Sequence, residues 1–458
     1  MTSIRLWRPV VGALAAAALL VPQAAAAQDP TPVAPAPAAA TPDRPSYDVR
    51  LRSDADGSHW TGRQTISFRN SARTPLRFVD VRLWGNGHPD DGCGTPAKPS
   101  PVSVSRVKGG TPHPLTVRCS ALRIDLPKPL PRGARASVSF DVSIAVPDRA
   151  HRFGRDGAHR FLGNALPLLS VQDAKGRHLD PDVGFGESFY TLAGDFRVVL
   201  DHPSGLKVPA TGTTVRRAGA PGRTVSTSVA HGVRDFAWAA GPFRTKTITS
   251  PDGITLNAYW TAAVPAEGVA YNLKEGAEAI DEFGKRFGRY PYGEIDLVMN
   301  TALEGGMEFP GLVYLQTQED SAVEHEIAHQ WWYGIVGNDQ FSEPWLDEGF
   351  ATYATWVRWG GDHFCPEEPD WPDDASAMTR PMDSYANRSE FMKIVYTGAA
   401  CALAELESTL GSQEMAAMLK KYARDHWFGV STTADFKRAA QAATTKDLAP
   451  LWEKHRIY

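Results

Sequence analysis

The chain has 458 residues, of which 42% are hydrophobic and 22% are charged. Single hydrophobic cores stop growing beyond about 250 to 300 residues, so a chain of this length is expected to form a multi-domain globular protein. Its formal net charge of −4 lacks the basic excess that is typical of proteins binding nucleic acid or anionic membranes.

Residues 1–27 predict a secretory signal peptide that is cleaved. Arg5 and Arg8 precede an uncharged apolar run, and Ala25 and Ala27 offer an A-x-A cleavage site. An uncleaved membrane anchor is the alternative, but the run before Pro22 falls short of about 20 residues. We therefore expect a secreted, extracellular protein without stable membrane association after cleavage.

The composition then changes from a linker to a β domain. Residues 28–46 are rich in Pro and Ala and have almost nothing to bury, which predicts a disordered linker. Over residues 47–249, segments such as YDVRLRS, RQTISFRN and ASVSFDVSIAV alternate apolar and polar residues, as half-buried strands do. This pattern predicts an all-β, sandwich-like domain.

Residues 250–458 predict a second domain of mixed type. AEGVAYNLKEGAEAIDEFGKRFG has helical spacing, GEIDLVMN and GLVYLQ are typical of strands, and the chain after Asp320 is mostly helical in pattern. We expect a mostly helical α+β domain here.

The four cysteines fall as one pair in each half, Cys93 with Cys119 and Cys365 with Cys401. In an exported protein this distribution favours one disulfide within each pair. Other connectivities and four buried thiols are the alternatives.

Two histidines four residues apart occur in SAVEHEIAHQWWYGIVG. Acidic residues before the motif and glycines after it indicate a helix, which places His325 and His329 on one face. Both imidazoles can then bind one metal ion, and Glu326 can serve as a general base at its open coordination position. A helix that contains this short motif by chance is the alternative.

A catalytic zinc site needs a third protein ligand and an open position for water. Glu348, on a second predicted helix in EPWLDEGFATYATW, follows His329 after 18 intervening residues and can complete a His₂Glu set. A motif with a third histidine fails, because Trp332 and Ile335 stand where it needs Gly and His. A solvated helical carboxylate is the alternative for Glu348. We expect one Zn²⁺ ion per chain.

These residues resemble the aminopeptidase N family of gluzincin zinc metallopeptidases. HEIAHQWWYGIVGND with EPWLDEGFATY is similar to the family's zinc-binding segment, and GGMEFPGLVY is similar to its exopeptidase motif, G-x-M-E-N. Weaker similarities, including GESFY and VRDFAWAAGPF, extend the match to about residues 47–458. The resemblance implies a thermolysin-like zinc peptidase domain and an aminopeptidase that hydrolyses the N-terminal bond of peptides.

The resemblance also implies roles within GGMEF. Glu308 would bind the substrate's free α-ammonium group, while Gly305 and Gly306 would let the extended peptide approach the backbone closely, beside Met307. A surface turn with a core methionine is the alternative. Phe309 stands where the family usually has Asn, which leaves substrate preference open.

A tyrosine is expected to donate a hydrogen bond to the oxyanion that forms during peptide hydrolysis. Tyr396 aligns with the family's catalytic tyrosine, and Tyr385 is its nearest rival. The family's Y-x-K-G pattern is matched loosely, because Gly398 and Ala399 stand where Lys and Gly are usual. An ordinary helix-packing tyrosine is the alternative for Tyr396.

Two rival functions differ in what they require of these residues. A gluzincin endopeptidase would have no use for Glu308 as an amine anchor. A catalytically dead, peptidase-like binding protein would have no chemical need for Glu326. The complete set favours an aminopeptidase whose partners are peptides with a free N-terminus and not nucleic acid.

Overall fold

The structure, a computed structural model, describes residues 44–87, 99–173, 175–303, 305–316, 322–361, 365 and 377–458. The predicted signal peptide, most of the predicted linker and Cys93 lie outside these residues. Among the helices of the described ranges, none combines the length and apolar character that crossing a membrane requires.

The first half folds into β-strands, as its alternating sequence predicts. A short 3-10 helix spans Trp84–Asn86. The strands are β1 (Ser46–Ser53), β2 (His59–Arg69), β3 (Leu76–Arg82), β4 (Val102–Lys108), β5 (Thr111–Pro112), β6 (Ala121–Leu130), β7 (Arg135–Ala145), β8 (Phe153–Asp156), β9 (His159–Leu162), β10 (Leu168–Leu169), β11 (Gln172–Asp173), β12 (Gly176–Arg177), β13 (Gly194–Pro203), β14 (Thr213–Ala218), β15 (Arg223–Val233) and β16 (Trp238–Ala240).

Two of the sheets share a core. One has the order β14-β15-β13-β1-β2-β7-β4, and the other has the order β10-β3-β6-β5. In β1, Tyr47, Val49 and Leu51 are buried while the residues between them are exposed, since successive side chains of a strand point to opposite faces. These side chains join Val81 of β3 and Ile124 of β6 in one apolar cluster. The predicted sandwich-like arrangement is therefore confirmed.

The second half combines a five-stranded sheet with helices, as predicted. The sheet has the order β17-β18-β19-β21-β20, and a second 3-10 helix spans Met382–Ser384. The elements are β17 (Arg244–Thr249), β18 (Thr255–Trp260), α1 (Ala266–Phe287), β19 (Glu294–Met299), β20 (Gly306–Met307), β21 (Leu312–Leu315), α2 (Ala322–Ala328), α3 (Trp345–Arg358), α4 (Arg388–Phe391), a π-helix (Met392–Gly398), α5 (Ala399–Leu410), α6 (Ser412–Asp425), α7 (Thr433–Ala442) and α8 (Ala449–Lys454).

An aromatic cluster joins the β half to the short strand β20. The Phe309 ring is buried beside Tyr314, and a Cβ atom at Gly163 would lie 2.2 Å from it. The Tyr314 hydroxyl accepts a hydrogen bond from Leu162 N at 3.2 Å and donates to Trp238 O at 2.7 Å. The segment that contains Glu308 is thus held against the β half.

One of the two predicted disulfides lies wholly within the described residues. Cys365 is bonded to Cys401, the third residue of α5, with 5.5 Å between their Cα atoms. Cys119 is also disulfide-bonded. Its predicted partner, Cys93, lies outside the described residues.

Candidate active site

Three potential metal ligands converge where α2 meets α3. His325 lies on α2, His329 directly follows it, and Glu348 lies in the first turn of α3. The two histidine Nε2 atoms are 3.0 Å apart, and each lies 3.2 Å from Glu348 Oε2. The fold therefore brings together the three side chains that the sequence predicts as zinc ligands.

The helix that carries the histidines is shorter than its sequence predicts, since it ends at Ala328 and not at the glycines. His329 N still donates to His325 O at 3.2 Å, so both imidazoles keep their helical spacing. The chain then turns away, and Tyr333 adopts a φ of +127°. Tertiary contacts override helix propensity in this segment.

The ligand chemistry fits zinc. His329 Nδ1 lies 2.9 Å from Trp332 O, so Nδ1–H can donate to this carbonyl and leave the Nε2 lone pair for a metal ion. Burial opposes ionisation of Glu348, but the neighbouring His329 and His325 imidazoles hold the pKa of this carboxylate well below its usual range. Two imidazoles and one carboxylate are a set that zinc uses when one position stays open for water.

Glu326 is a buried carboxylate beside these ligands. Its Oε2 atom has no hydrogen-bond partner among the described residues. Burial, followed by the negative charge of Glu308, raises the pKa of Glu326 well above its ordinary value. A Cβ atom at Gly306 would lie 2.2 Å from Glu326 Oε1, so the missing side chain makes room for this carboxylate. This close approach explains why glycine is needed at position 306, which the sequence motif alone does not reveal.

Glu308 follows β20 and is 3% exposed, with no hydrogen-bond partner for Oε1 among the described residues. Gln330, the residue after His329, donates from Nε2 to Glu308 O at 3.3 Å and so links this strand to the metal-ligand segment. Gly305 adopts a φ of +63°, which favours glycine, and Met307 is buried. The turn therefore presents a buried carboxylate oxygen that is unpaired within the ranges that the structure describes.

Two site residues from the β half were not predicted. The Arg152 guanidinium lies 2.6 Å from Glu187 Oε1 and 2.9 Å from Met307 Sδ. Burial raises the pKa of Glu187 well above its ordinary value despite Arg152, and the charges of Glu308 and Glu348 add to this rise. Glu187 lies in GESFY, a segment that resembles the family's β domain but carries no sign of a role in the site. No sequence signal indicates Arg152.

The structure places Tyr396, and not Tyr385, beside the metal ligands. The Tyr396 hydroxyl donates to Glu348 Oε1 at 2.6 Å, and its ring stacks on His325 with 5.7 Å between centroids. Burial and the Glu348 charge raise the pKa of Tyr396 well above its ordinary value. The Tyr385 hydroxyl instead donates to Met378 O at 2.9 Å.

A second group of potential ligands consists of His178, Asp180 and Asp339. Here, however, the imidazole already lies between two carboxylates, 3.2 Å from Asp339 and 3.0 Å from Asp173. The Asp339 carboxylate, which follows the metal-ligand segment, raises the pKa of His178 to about 9. This geometry favours an imidazolium ion that ties the β half to the second half.

The stability that His178 contributes is expected to depend on pH. Its pKa is raised on folding, so the contribution is complete below the unfolded value of about 6.5 and is lost as the pH rises through about 9. His178→Gln should lower the free energy of unfolding by roughly 1.5 to 3 kcal/mol at pH 6 and by much less at pH 10. Urea unfolding at both pH values measures this. His231→Gln, at an exposed site, is the control, and a pH-independent difference for His178→Gln would contradict the ion pair.

Comparison with known proteins agrees with this geometry. Residues 271–455, which contain the three potential ligands, match the Peptidase family M1 domain. This part of the chain is therefore similar to M1 peptidase domains. The resemblance to the aminopeptidase N family that the sequence motifs predict is thereby confirmed.

Relatives of the M1 domain include proteins named as aminopeptidases. Aminopeptidase M1 of Arabidopsis thaliana is 27% identical over 244 residues, which cover 45% of this chain and 27% of that protein. Aminopeptidase N of Lactobacillus helveticus is 27% identical over 265 residues, which cover 48% of this chain and 31% of that protein. The chain thus spans less than a third of the length of either relative.

Solved structures extend the similarity to both halves of the chain. The M1 zinc metallopeptidase of Deinococcus radiodurans has a TM-score of 0.62 at 18% identity and covers 91% of this chain and 93% of its own. A variant of that protein, solved with a Tyr-Ser-Ala substrate, has a TM-score of 0.64 at 18% identity. The match covers 90% of this chain and 94% of that variant's chain. The β half and the M1 domain together therefore have the fold of these two-domain metallopeptidases.

Proposed function

We propose that the protein is a zinc-dependent aminopeptidase that hydrolyses the N-terminal bond of peptides. The observation that carries this proposal is Glu308, a buried carboxylate close to the metal ligands whose Oε1 atom has no hydrogen-bond partner in the described part of the chain. The names of the M1 relatives, and the peptide bound to the Deinococcus radiodurans protein, support the same substrate class.

His325, His329 and Glu348 would hold the zinc ion. When bound there, zinc would polarise the scissile carbonyl and make a water molecule acidic near neutral pH. Glu326 accepts the proton of the attacking water and later passes it to the leaving amine. Glu326 Oε2, which is unpaired among the residues that the structure describes, is the acceptor available for this transfer.

Tyr396 stabilises the negative charge that develops on the substrate carbonyl oxygen. Its hydroxyl lies 2.6 Å from Glu348 and its ring stacks on His325. The Tyr396 side chain is therefore held beside the ligands before substrate binds. To donate to that oxygen, the hydroxyl redirects its single proton from Glu348 while the tyrosine ring stays in place.

Glu308 sets the position of cleavage. Its carboxylate accepts a charge-assisted hydrogen bond from the α-ammonium group, so the bond presented for hydrolysis is the first of the chain. Glu187 adds a second acidic group from the β half, 2.6 Å from the Arg152 guanidinium. The site therefore suits a cation at the substrate's N-terminus.

The two rival functions fit the residues less well. An endopeptidase must place an uncharged stretch of peptide where the buried Glu308 and Glu187 lie, so these acidic groups gain no cationic partner from the substrate. A binding protein without activity would not need Glu326 directed into the site. We also propose that the protein acts outside the cell, on the strength of the signal pattern at residues 1–27.

Glu308→Ala tests the role of the anchor. For peptides with a free N-terminus, kcat/KM should fall roughly 10- to 100-fold, because a charge-assisted hydrogen bond is worth about 1.5 to 3 kcal/mol. Bound zinc, measured by elemental analysis, should be unchanged. Equal losses for free and N-acetylated peptides would show that Glu308 does not bind the ammonium group.

A further inference from the structure

Helix α3 and the start of α5 approach unusually closely beside Glu348. A Cβ atom added to Gly349, the next residue, would lie 2.4 Å from Ala399 Cβ and 3.3 Å from Val395 O. Carbon atoms that are not bonded pack at about 3.5 to 4.0 Å. A side chain at Gly349 would therefore force the two helices apart by about 1 Å.

The segment that contacts Gly349 also carries Tyr396. Val395 and Tyr396 lie on the π-helix Met392–Gly398, and Ala399 begins α5 directly afterwards. The Ala399 N–H donates to Ile394 O, five residues earlier, as in a π-helix. One short segment therefore both contacts α3 through its backbone and places the Tyr396 hydroxyl beside Glu348.

We infer that Gly349 is a positioning residue for Tyr396. Gly349 has no side chain, so the π-helix can lie close to α3. The Tyr396 hydroxyl can then reach Glu348 Oε1 at 2.6 Å. A separation of about 1 Å would lengthen this contact beyond hydrogen-bond range. Glycine within a helix lowers its stability relative to alanine. The close contact between α3 and the π-helix offsets this loss at Gly349.

This inference rests on the proposed role of Tyr396 as the oxyanion donor, so both are tested together. Tyr396→Phe should lower kcat about 100-fold or more, and Gly349→Ala should lower it roughly 10- to 100-fold with little change in KM. Zinc content should stay the same in both variants. Adding Ala399→Gly to Gly349→Ala removes the Cβ contact and should restore kcat to within about threefold of the native value.

A double-mutant cycle separates positioning from general damage. In the Tyr396→Phe background, Gly349→Ala should cause almost no further loss, because the group through which it acts is already absent. Affinity for an aminophosphinic dipeptide, which imitates the tetrahedral intermediate, should fall in both single variants, and by no larger factor in Gly349→Ala than in Tyr396→Phe, as measured by calorimetry.

The outcomes distinguish the two hypotheses. Near-native turnover of Tyr396→Phe would overturn the proposed role of Tyr396 and the inference with it. A slow Tyr396→Phe enzyme in which Gly349→Ala causes an independent, multiplicative loss would overturn the inference alone. Loss of zinc from Gly349→Ala, or no rescue by Ala399→Gly, would show that Gly349 acts on Glu348 or on folding and would likewise overturn it.

Discussion

Replacing Glu326 with Gln is expected to lower kcat by at least about 100-fold while zinc remains bound. Glutamine has nearly the same shape and still fits the space left by Gly306, but its amide cannot accept the proton of the attacking water. The variant should fold normally, because Glu326 Oε2 has no hydrogen-bond partner among the described residues whose loss could destabilise the protein.

Glu324→Gln is the matched control for this prediction. Glu324 lies on the same helix and is 1% exposed, but its carboxylate interacts with Trp359 and Arg358, away from the metal ligands. Steady-state kinetics and zinc analysis of both variants measure the effect. Turnover of Glu326→Gln within a few-fold of the control would remove Glu326 from the mechanism.

Glu348→Ala is expected to abolish stable zinc binding and activity together. Loss of a residue that merely orients a metal ligand already costs about 10- to 100-fold in metal affinity, so removal of a ligand should cost more than about 100-fold. The variant also deprives His325 and His329 of their carboxylate neighbour at 3.2 Å.

Competition with a chromogenic zinc chelator measures this affinity directly, with Glu324→Gln again as the control. Activity should return only in part when excess zinc is added, because two histidines hold the ion weakly and Tyr396 has lost its acceptor. Retention of one tightly bound zinc ion per chain would show that another carboxylate is the third ligand.

Much of the site could be predicted because its signals are local. The spacing of His325 and His329 depends only on helical periodicity, and Glu348 lies on a helix whose start and apolar pattern are visible in the sequence. The β half was predictable for the same reason, since burial in strands such as β1 follows an alternation of period two.

Other features depend on tertiary contacts that no local pattern encodes. Arg152 and Glu187 come from the β half and lie near Glu308 in a fold whose aromatic cluster around Phe309 packs β20 against that half. The sequence FMKIVYTGAA does not distinguish a π-helix from an α-helix, so the choice between Tyr396 and Tyr385 required the fold. The fit of Gly306 around Glu326 likewise joins two segments that are separate in sequence.

The central claim is that the protein recognises a free peptide N-terminus, and the native, zinc-loaded protein tests it most directly. A set of peptides is supplied with either a free or an acetylated N-terminus, and the products are identified by mass spectrometry over time. We expect the free peptides to lose single residues from the N-terminus, while their acetylated counterparts stay largely intact because the charge that Glu308 binds is absent. Equal cleavage of both sets, or cleavage at internal bonds, would contradict the aminopeptidase and favour an endopeptidase.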